Sequence, residues 1–153
     1  MQQNYKTEKT VNIVYSYYVL DIVHRGHLLM LKNSKAIAGP DGRLVVGIVS
    51  DEAVEEVKGR APILSFSERL ELAQSIRYVD LVVRQDEYSP LKNVKNIKPT
   101  ILMESESHSK VQLESSRKCM EELGGKMIIM PYFKGQSSTR IKNLAANAAE
   151  PRQ

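Results

Sequence analysis

Five short apolar runs lie along the chain, and longer segments of mixed polarity separate them. The runs cover Val11–Tyr17, Arg43–Val49, Asp80–Val83, Pro99–Met103 and Lys126–Met130. Each is rich in β-branched residues, Leu or Met, and its apolar residues are continuous rather than alternating with polar ones. This pattern predicts strands that helices cover on both faces, as in a parallel sheet.

The segments between these runs carry helix signals. Residues His24–Ala38 have leucines at helical spacing, and Lys110–Leu123 has a similar apolar stripe that stops at Gly124-Gly125. The sequence Ser65–Glu68 has the form of a capping box, in which the first and last side chains satisfy each other's backbone amides. A further short helix is predicted after Ser137.

Strands that alternate with helices predict an α/β fold with a parallel sheet of about five strands and helices on both faces. In such folds, ligands bind outside the carboxyl ends of the strands, where the strand order changes direction. We therefore expect the functional residues to follow the strands directly.

Composition excludes several classes of protein. With 153 residues, 42% of them hydrophobic, the chain can form one domain with its own core. A single cysteine excludes an internal disulfide scaffold, and no apolar run is long enough to cross a bilayer. The net charge is +4, but the basic residues are scattered and aromatic residues are few. We therefore expect a cytoplasmic protein that has neither a membrane nor a nucleic acid as its partner.

The two ends of the chain differ from its middle. Residues 1–10 are polar and are predicted to form a flexible N-terminus, and residues 11–144 are predicted to form the domain. Residues 145–153 are small and polar and contain a proline. They are typical of a linker-like tail that connects to a further domain.

The first candidate site follows the first strand, where Asp21 and the sequence His24-Arg25-Gly26-His27 lead into a helix. The free amides of a helix N-terminus favour an anion, and histidines three residues apart share one side of a helix. From the residues alone, two other interpretations stay open: incidental histidines at an exposed helix start, or a zinc pair. Zinc would need a third ligand, and neither His108 nor Cys119 has ligand-like spacing to this pair.

The second candidate site follows the last strand, over Pro131–Arg140. Here a glycine leads to three hydroxyl residues and an arginine at a predicted helix N-terminus, which is again a site that favours an anion. Ser and Thr are also ordinary helix caps, so this segment alone is a weak signal. Its weight comes from its position, because a doubly wound sheet can place the two segments side by side.

Together these segments resemble the motifs of small cytidylyltransferases of the glycerol-3-phosphate and ethanolamine-phosphate type, in the nucleotidyltransferase superfamily. His24–His27 is similar to the His-x-Gly-His motif, Gly135–Arg140 to the second phosphate-binding motif, and Arg77–Asp80 to an Arg-Tyr-Val-Asp segment. The resemblance covers residues 12–144. It implies a Rossmann-like nucleotidyltransferase fold and the transfer of CMP from CTP with release of pyrophosphate, with Mg²⁺ accompanying CTP.

The resemblance also implies roles for individual residues, none of which is expected to hold a metal directly. The implied catalytic residues are His24, His27, Lys58 and Arg140. The implied nucleotide-binding residues are Tyr18, Val19, Leu20, Asp21, Gly26, Arg77, Gly135, Ser137, Ser138 and Thr139. The implied acceptor-binding residues are Lys58, Arg60, Glu104, His108 and Tyr132, with Lys58 placed in a basic loop. Members of the family are often homodimers, which makes a homodimer a candidate state for this chain.

The sequence departs from the family pattern at two places. Tyr18 stands where the family has the glycine of a Gly-Thr-Phe-Asp turn, so the local backbone must differ. Met103–His108 replaces a Gly-Asp/His-Asp-Trp run that lies near the nucleoside and the acceptor in the family. The resemblance therefore leaves the preferred base and acceptor open.

One branch of the family resembles this chain more closely. Gly124-Gly125-Lys126 and Pro131-Tyr132 are similar to cytidylyltransferase domains fused to phosphoenolpyruvate mutase, including the bifunctional enzyme of the fosfomycin pathway. This resemblance implies 2-hydroxyethylphosphonate as the favoured acceptor and a phosphoenolpyruvate mutase domain in the same full-length chain. The alternatives are a phosphate monoester acceptor such as glycerol 3-phosphate, a nucleotidyltransferase that uses ATP, and a nucleotide-binding module without catalytic activity.

Overall fold

A computed structural model describes residues 10–149 of the chain, and in this range it contains five strands and six helices. In chain order the elements are β1 (Ile13–Tyr18), α1 (Arg25–Ala38), β2 (Arg43–Val49), α2 (Asp51–Lys58), α3 (Phe66–Ser75), β3 (Leu81–Gln85), α4 (Leu91–Ile97), β4 (Ile101–Ser105), α5 (Lys110–Glu122), β5 (Lys126–Met130) and α6 (Ser138–Ala149). The predicted α/β fold with five strands is confirmed.

The five strands form one parallel sheet in the order β3-β2-β1-β4-β5. The chain builds the sheet outward from β1 to β3 and then crosses to β4 on the other side of β1. The strand order therefore changes direction between β1 and β4. In a Rossmann-like sheet, the crevice at the carboxyl ends of these two strands is the expected ligand site.

Both faces of the sheet are covered, which explains why the strands have continuous apolar runs. Successive side chains of a strand point to opposite faces. On one face Val14 packs with Leu31 of α1, and on the other Tyr15 packs with Val94 of α4 and Met120 of α5. The helices therefore hold the central strand rigidly from both sides.

The helix ends follow the capping signals closely. Ser65 accepts a hydrogen bond from the amide of Glu68, and the Glu68 carboxylate accepts one from the amide of Ser65, so the predicted capping box is confirmed. Helix α1 begins at Arg25 rather than at His24, because His24 is its N-cap. Strands β1, β3 and β4 each lie one or two residues further along the chain than their apolar runs predict.

Two helices have no counterpart among the predicted elements. Helix α2 follows β2 directly and is capped by Ser50, whose hydroxyl accepts a hydrogen bond from the amide of Ala53. Helix α4 has only seven residues, and its N-cap, Pro90, makes no side-chain hydrogen bond. Both helices are too short to show a clear helical period in the sequence.

Helix α6 extends to Ala149, so residues 145–149 of the predicted linker-like tail are helical. The remaining tail residues, 150–153, and residues 1–9 of the predicted N-terminal segment lie outside the described range. Between residues 10 and 149, no helix combines the length and the hydropathy needed to span a membrane.

Gly47 in β2 provides a test of the packing on the face of the sheet that α4 and α5 cover. An alanine Cβ at this position would lie 2.0 Å from the Tyr15 hydroxyl, which donates to Gln85 at 2.7 Å. We expect Gly47→Ala to lower the free energy of unfolding by about 1–3 kcal/mol, since buried overpacking forces neighbouring atoms to move. Urea unfolding measures this loss. It should be smaller in a Tyr15→Phe background, and an equal loss in both backgrounds would show that the hydroxyl is not the obstacle.

Candidate active site

Two adjoining cavities open at the carboxyl edge of the sheet, at the change of strand order. The larger one, the cationic cavity, has a volume of about 550 Å³ and is lined by Lys58, Arg60 and Lys142 among others. The smaller one, the aromatic cavity, has a volume of about 230 Å³, and its lining includes Tyr132 and Phe133. Six residues line both cavities: Tyr17, Tyr18, His27, Ser107, His108 and Ser138. These six residues form the boundary between the cavities.

His24 and His27 lie side by side, His27 at this boundary and His24 in the aromatic cavity, with their ring centroids 4.0 Å apart. Nδ1 of His24 accepts a hydrogen bond from the amide of Gly26 at 3.0 Å, so the neutral His24 ring carries its proton on Nε2 as a donor. Gly26 is required here because a Cβ would lie 2.8 Å from the His24 ring and 3.1 Å from Phe133. The predicted pairing of two imidazoles at a helix start is therefore present.

Both histidines are neutral near pH 7. Burial lowers the pKa of His27 to about 4, and neighbouring His24 adds to this effect, while a hydrogen bond with the Ile22 carbonyl opposes it. Burial also lowers the pKa of His24. The pair therefore supplies hydrogen-bond donors rather than permanent positive charges.

The low pKa of His27 makes stability depend on pH. Between its ordinary value of 6.5 and about 4, the unfolded chain binds a proton at His27 that the folded chain does not. The free energy of unfolding should therefore fall as pH drops through this window, by at most about 1.4 kcal/mol for each pH unit. Urea unfolding of the wild type and His27→Asn between pH 7.5 and pH 4.5 tests this. As the pH drops, the free energy of unfolding should fall more for the wild type than for the variant. A difference between the two proteins that stays constant with pH would contradict the expectation.

The start of helix α6 lies against the chain that leads into α1. The Ser138 hydroxyl donates to the Ile22 carbonyl at 3.0 Å, and the Ser137 hydroxyl accepts from the amide of Arg140 at 3.1 Å. Ser138 and Thr139 line the cationic cavity, and Ser137 lines the aromatic cavity. The structure therefore brings together the two segments that the sequence marked as anion sites.

Three basic side chains give the cationic cavity its character. Lys58 is the last residue of α2, which corrects its predicted placement in a basic loop. Burial lowers the pKa of Lys58, and the charges of Lys142 and Arg60 lower it further, although Asp21 opposes them. Lys142 was not among the predicted site residues. Its spacing of four residues from Ser138 is the signal that could have placed it on the same side of α6.

The predicted nucleotide ligand Asp21 has a positioning role in the structure. Its carboxylate is 4% exposed, accepts hydrogen bonds from the amides of Ile63 and Leu64 at 3.0 and 2.8 Å, and pairs with Lys142. Burial alone would raise the pKa of Asp21, but these hydrogen bonds outweigh it and lower the pKa. Asp21 therefore ties α6 to the loop before α3 and keeps Lys142 at the cavity.

Glu104 and His108 occupy different positions from those expected of two acceptor-binding residues. Glu104 is 1% exposed and accepts hydrogen bonds from Ser116 at 2.6 Å and Tyr17 at 2.9 Å. It also lies 2.5 Å from Nδ1 of His108. Glu104 therefore does not reach the cavities, whereas His108 lines both. The structure corrects the prediction for Glu104, which supports His108 from behind.

The remaining predicted residues divide between the cavities and the surface. Tyr18, Val19, Leu20 and Arg60 line the cationic cavity, and Tyr132 lines the aromatic one. Neither cavity is lined by Arg77, Gly135 or Arg140. Arg77 stacks on Tyr78 just before β3, at the opposite edge of the sheet, which places it away from both cavities. Arg140 donates to the carbonyl of Gly135 at 3.0 Å on the exposed loop.

Arg69 is a structurally important residue that the sequence reasoning missed. It is fully buried and donates to the carbonyls of Val19 and Val49, the latter at 2.9 Å, and to Asp51. These carbonyls belong to the chain at the carboxyl ends of β1 and β2. The next residue after Val19, Leu20, has φ of +58°, so the turn where the family has a glycine motif is held in a left-handed conformation.

Comparison with protein families agrees with this geometry. Residues 19–144 match the family model described as cytidylyltransferase-like. The chain belongs to the cytidylyltransferase-like family. The match includes all the residues that line the cavities except Ser16, Tyr17 and Tyr18.

Three similar proteins illustrate the relationship. The bifunctional protein HldE of Gluconobacter oxydans is 32% identical over 130 residues, which cover 84% of this chain and 26% of HldE. An FAD synthase of Korarchaeum cryptofilum is 40% identical over 82 residues, 54% of this chain and 55% of the synthase. The structure of a lipopolysaccharide core biosynthesis protein from Thermoplasma volcanium has a TM-score of 0.64 and 28% identity, covering 82% of this chain and 98% of the other. This chain therefore spans about a quarter of the length of the HldE relative.

Proposed function

We propose that this protein transfers CMP from CTP to a small phosphonate or phosphate acceptor and releases pyrophosphate. The observation that carries the proposal is the pair of adjoining cavities, one cationic and one aromatic, with His27 on their shared boundary. Membership of the cytidylyltransferase-like family supports the reaction class. The favoured acceptor is 2-hydroxyethylphosphonate, because the sequence resembles cytidylyltransferase domains that are fused to phosphoenolpyruvate mutase.

The two cavities suit the two substrates in different ways. The aromatic cavity offers Tyr132, Phe133 and Met103 as apolar surfaces for a nucleoside. The cationic cavity offers Lys58, Arg60 and Lys142 to a phosphonate or phosphate dianion. The N-termini of α1 and α6 meet between them, where their free amides and hydroxyls would hold the triphosphate.

The chemistry follows from this placement. An acceptor oxygen attacks the α-phosphorus of CTP, the bond from that phosphorus to the bridging oxygen breaks, and pyrophosphate leaves on the opposite side. The two neutral imidazoles donate hydrogen bonds to α-phosphate oxygens as negative charge builds there. Lys58 and Lys142 draw the acceptor in and offset its repulsion from CTP. Positioning and charge stabilisation therefore account for the rate.

The described residues offer no cluster of side chains that would hold Mg²⁺ without the phosphates of a substrate. Between residues 10 and 149, no three His, Cys, Asp or Glu side chains come together in a way that could hold a metal ion. Asp21, which lines the cationic cavity, and Glu104, which lies behind His108, already have their oxygens engaged. We therefore treat Mg²⁺ as part of the substrate, bound to the phosphates of CTP, and assign it no step at the protein.

A second candidate uses ATP in place of CTP. The similarity to a protein named FAD synthase favours it, because FAD contains an adenine nucleotide. The aromatic surfaces of Tyr132 and Phe133 would stack on either base, since stacking does not depend on hydrogen-bond readout. The choice of base is therefore decided by experiment.

The deciding experiment measures pyrophosphate release with MgCTP and each of three acceptors: 2-hydroxyethylphosphonate, glycerol 3-phosphate and ethanolamine phosphate. The same reactions are run with ATP, GTP and UTP. We expect release with CTP and the phosphonate. Release only with a phosphate ester keeps the mechanism and overturns the acceptor, and release only with ATP overturns the base. Binding of CTP without release from any acceptor would favour a module without catalytic activity.

A further inference from the structure

His108 lies on the boundary between the two cavities and has a buried acidic partner. Its side chain is 27% exposed, and its Nδ1 is 2.5 Å from Oε2 of Glu104. Glu104 is held in turn by the hydroxyls of Ser116 and Tyr17, at 2.6 and 2.9 Å. The buried Glu104 carboxylate therefore has three partners, and one of them is the His108 imidazole on the boundary between the cavities.

The hydrogen bonds determine how the His108 ring is protonated. Both oxygens of Glu104 accept hydrogen bonds from hydroxyls, so the proton shared between Glu104 and His108 belongs to Nδ1. In the neutral ring, Nε2 then has a free electron pair. Nε2 is the ring nitrogen away from Glu104, and the His108 side chain lines both cavities. His108 therefore presents a proton acceptor, whereas His24 presents a donor.

The charged and titratable groups around His108 come from five elements and four loops. Tyr17 on β1 lies against its ring with centroids 5.6 Å apart, and Glu104 on β4 holds Nδ1. The titratable and charged groups that line the same two cavities are Tyr17, Tyr18, Asp21, His24, His27, Lys58, Arg60, Tyr88, Tyr132 and Lys142. Burial raises the pKa of Tyr17 and of Tyr88, so both stay neutral hydroxyls. Tyr17 and Tyr88 therefore do not act as bases at the cavities, which leaves few side chains there that can accept a proton.

We propose that His108, held by Glu104, removes the second acid proton of the acceptor, so that the acceptor reacts as its dianion. The proton on the acceptor's P–OH passes to Nε2 of His108. The P–O⁻ oxygen then forms the bond to the α-phosphorus of CTP, and pyrophosphate leaves with the bridging oxygen. The proton on His108 returns to solvent after the products leave.

This role matters most for a phosphonate. The second pKa of a phosphate ester is about 6, so at pH 7 most of it is already a dianion. A phosphonate holds its second proton more tightly, because carbon draws less electron density from phosphorus than an ester oxygen does. A base that lines the same cavity as Lys58 and Lys142 would therefore help a phosphonate more than a phosphate ester. The inference rests on the proposed function and extends it to acceptor choice.

Two variants separate a proton-accepting role from a structural one. His108→Asn keeps a nitrogen donor near Nδ1 for Glu104 but lacks Nε2, and His108→Gln provides an amide near Nε2 that is not a base. The control is Lys118→Gln, an exposed change on α5. Pyrophosphate release is followed from pH 6 to pH 9 with 2-hydroxyethylphosphonate and with glycerol 3-phosphate. The other titrating groups are the same in the wild type and in the His108 variants. The ratio of wild-type to variant rate therefore isolates the contribution of His108.

We expect the ratio for the phosphonate to be about tenfold or more at pH 6 and to fall towards one at pH 9, where the acceptor is already a dianion. For glycerol 3-phosphate the ratio should approach one at a lower pH than it does for the phosphonate, because this acceptor becomes a dianion at a lower pH. A ratio that does not change with pH, or that is the same for both acceptors, overturns the proposal and assigns His108 a structural role.

A binding measurement covers the case in which no acceptor turns over and the proposed function fails. The ³¹P signal of 2-hydroxyethylphosphonate bound to the full chain is titrated for the wild type and His108→Asn. We expect the phosphonate to lose its second proton at lower pH on the wild type. Identical titrations, or no binding to the wild type, overturn the inference independently of turnover.

Discussion

Replacing His27 with asparagine is expected to lower kcat by about 10²–10³-fold while the Kd for CTP changes little, as for the loss of one donor to a developing oxyanion. His27 lies at the boundary of both cavities with its ring 4.0 Å from that of His24. The ring is neutral near pH 7, its Nδ1 lies 3.4 Å from the amide of His24, and it has a weak hydrogen bond with the Ile22 carbonyl that it can exchange for a phosphate oxygen. Its strongest interaction with the nucleotide is therefore expected when charge builds at the α-phosphorus. Steady-state kinetics and calorimetric titration with CTP measure the two effects separately.

The matched variant is His24→Asn. Asparagine is a preferred N-cap residue, so this change keeps the cap of α1 while it removes Nε2 of the second imidazole. A similar loss of kcat in both variants, without a loss of stability at pH 7.5, would assign the effect to the imidazoles. If Kd for CTP rises by the same factor as kcat falls in either variant, that histidine acts in ground-state binding instead.

Replacing Arg69 with methionine is expected to lower the free energy of unfolding by about 2–5 kcal/mol, because each buried acceptor that is left without its donor costs about 1–3 kcal/mol. Methionine fills a similar volume but leaves the carbonyls of Val19 and Val49 without their donor in the interior. It also leaves Asp51 without its cation. Urea unfolding at pH 7.5 measures the loss.

The control for Arg69 is the same change at an exposed site, Arg77→Met. Arg77 stacks on Tyr78 and makes no ion pair among the described residues, so we expect its replacement to change stability by less than about 0.5 kcal/mol. Equal losses in the two variants would mean that the buried hydrogen bonds of Arg69 contribute no net stability. At temperatures where Arg69→Met stays folded, its kcat reports whether the turn at Leu20 must be held for catalysis.

Local patterns predicted much of the fold because each of them is complete within a few residues. The capping box at Ser65 and Glu68, and the glycine pair after Leu123, predicted where α3 begins and where α5 ends. The same holds for the two anion sites, since His24–His27 and Ser137–Thr139 each combine a helix start with polar side chains. What these segments lacked was evidence that they meet, which the hydrogen bond from Ser138 to Ile22 provides.

The roles of single polar residues were predicted less well, because they depend on partners far away in the chain. Asp21 binds the amides of Ile63 and Leu64 and the side chain of Lys142, which lies 121 residues away. Glu104 looked like an acceptor ligand in the sequence, but in the structure it is buried behind His108. A carboxylate in the sequence has the same appearance whether it faces a ligand or an internal donor.

The sequence by itself determined the alternation of strands and helices, the parallel sheet and the segments that follow its strands, because periodicity and capping act over short distances. Only the tertiary structure decided which of those segments share a cavity, that Arg69 is buried and that His108 rather than Glu104 lines the cavities. The physical reason is that burial and hydrogen-bond partners arise from the packing of distant segments. A buried charge is retained only where such packing supplies its partners.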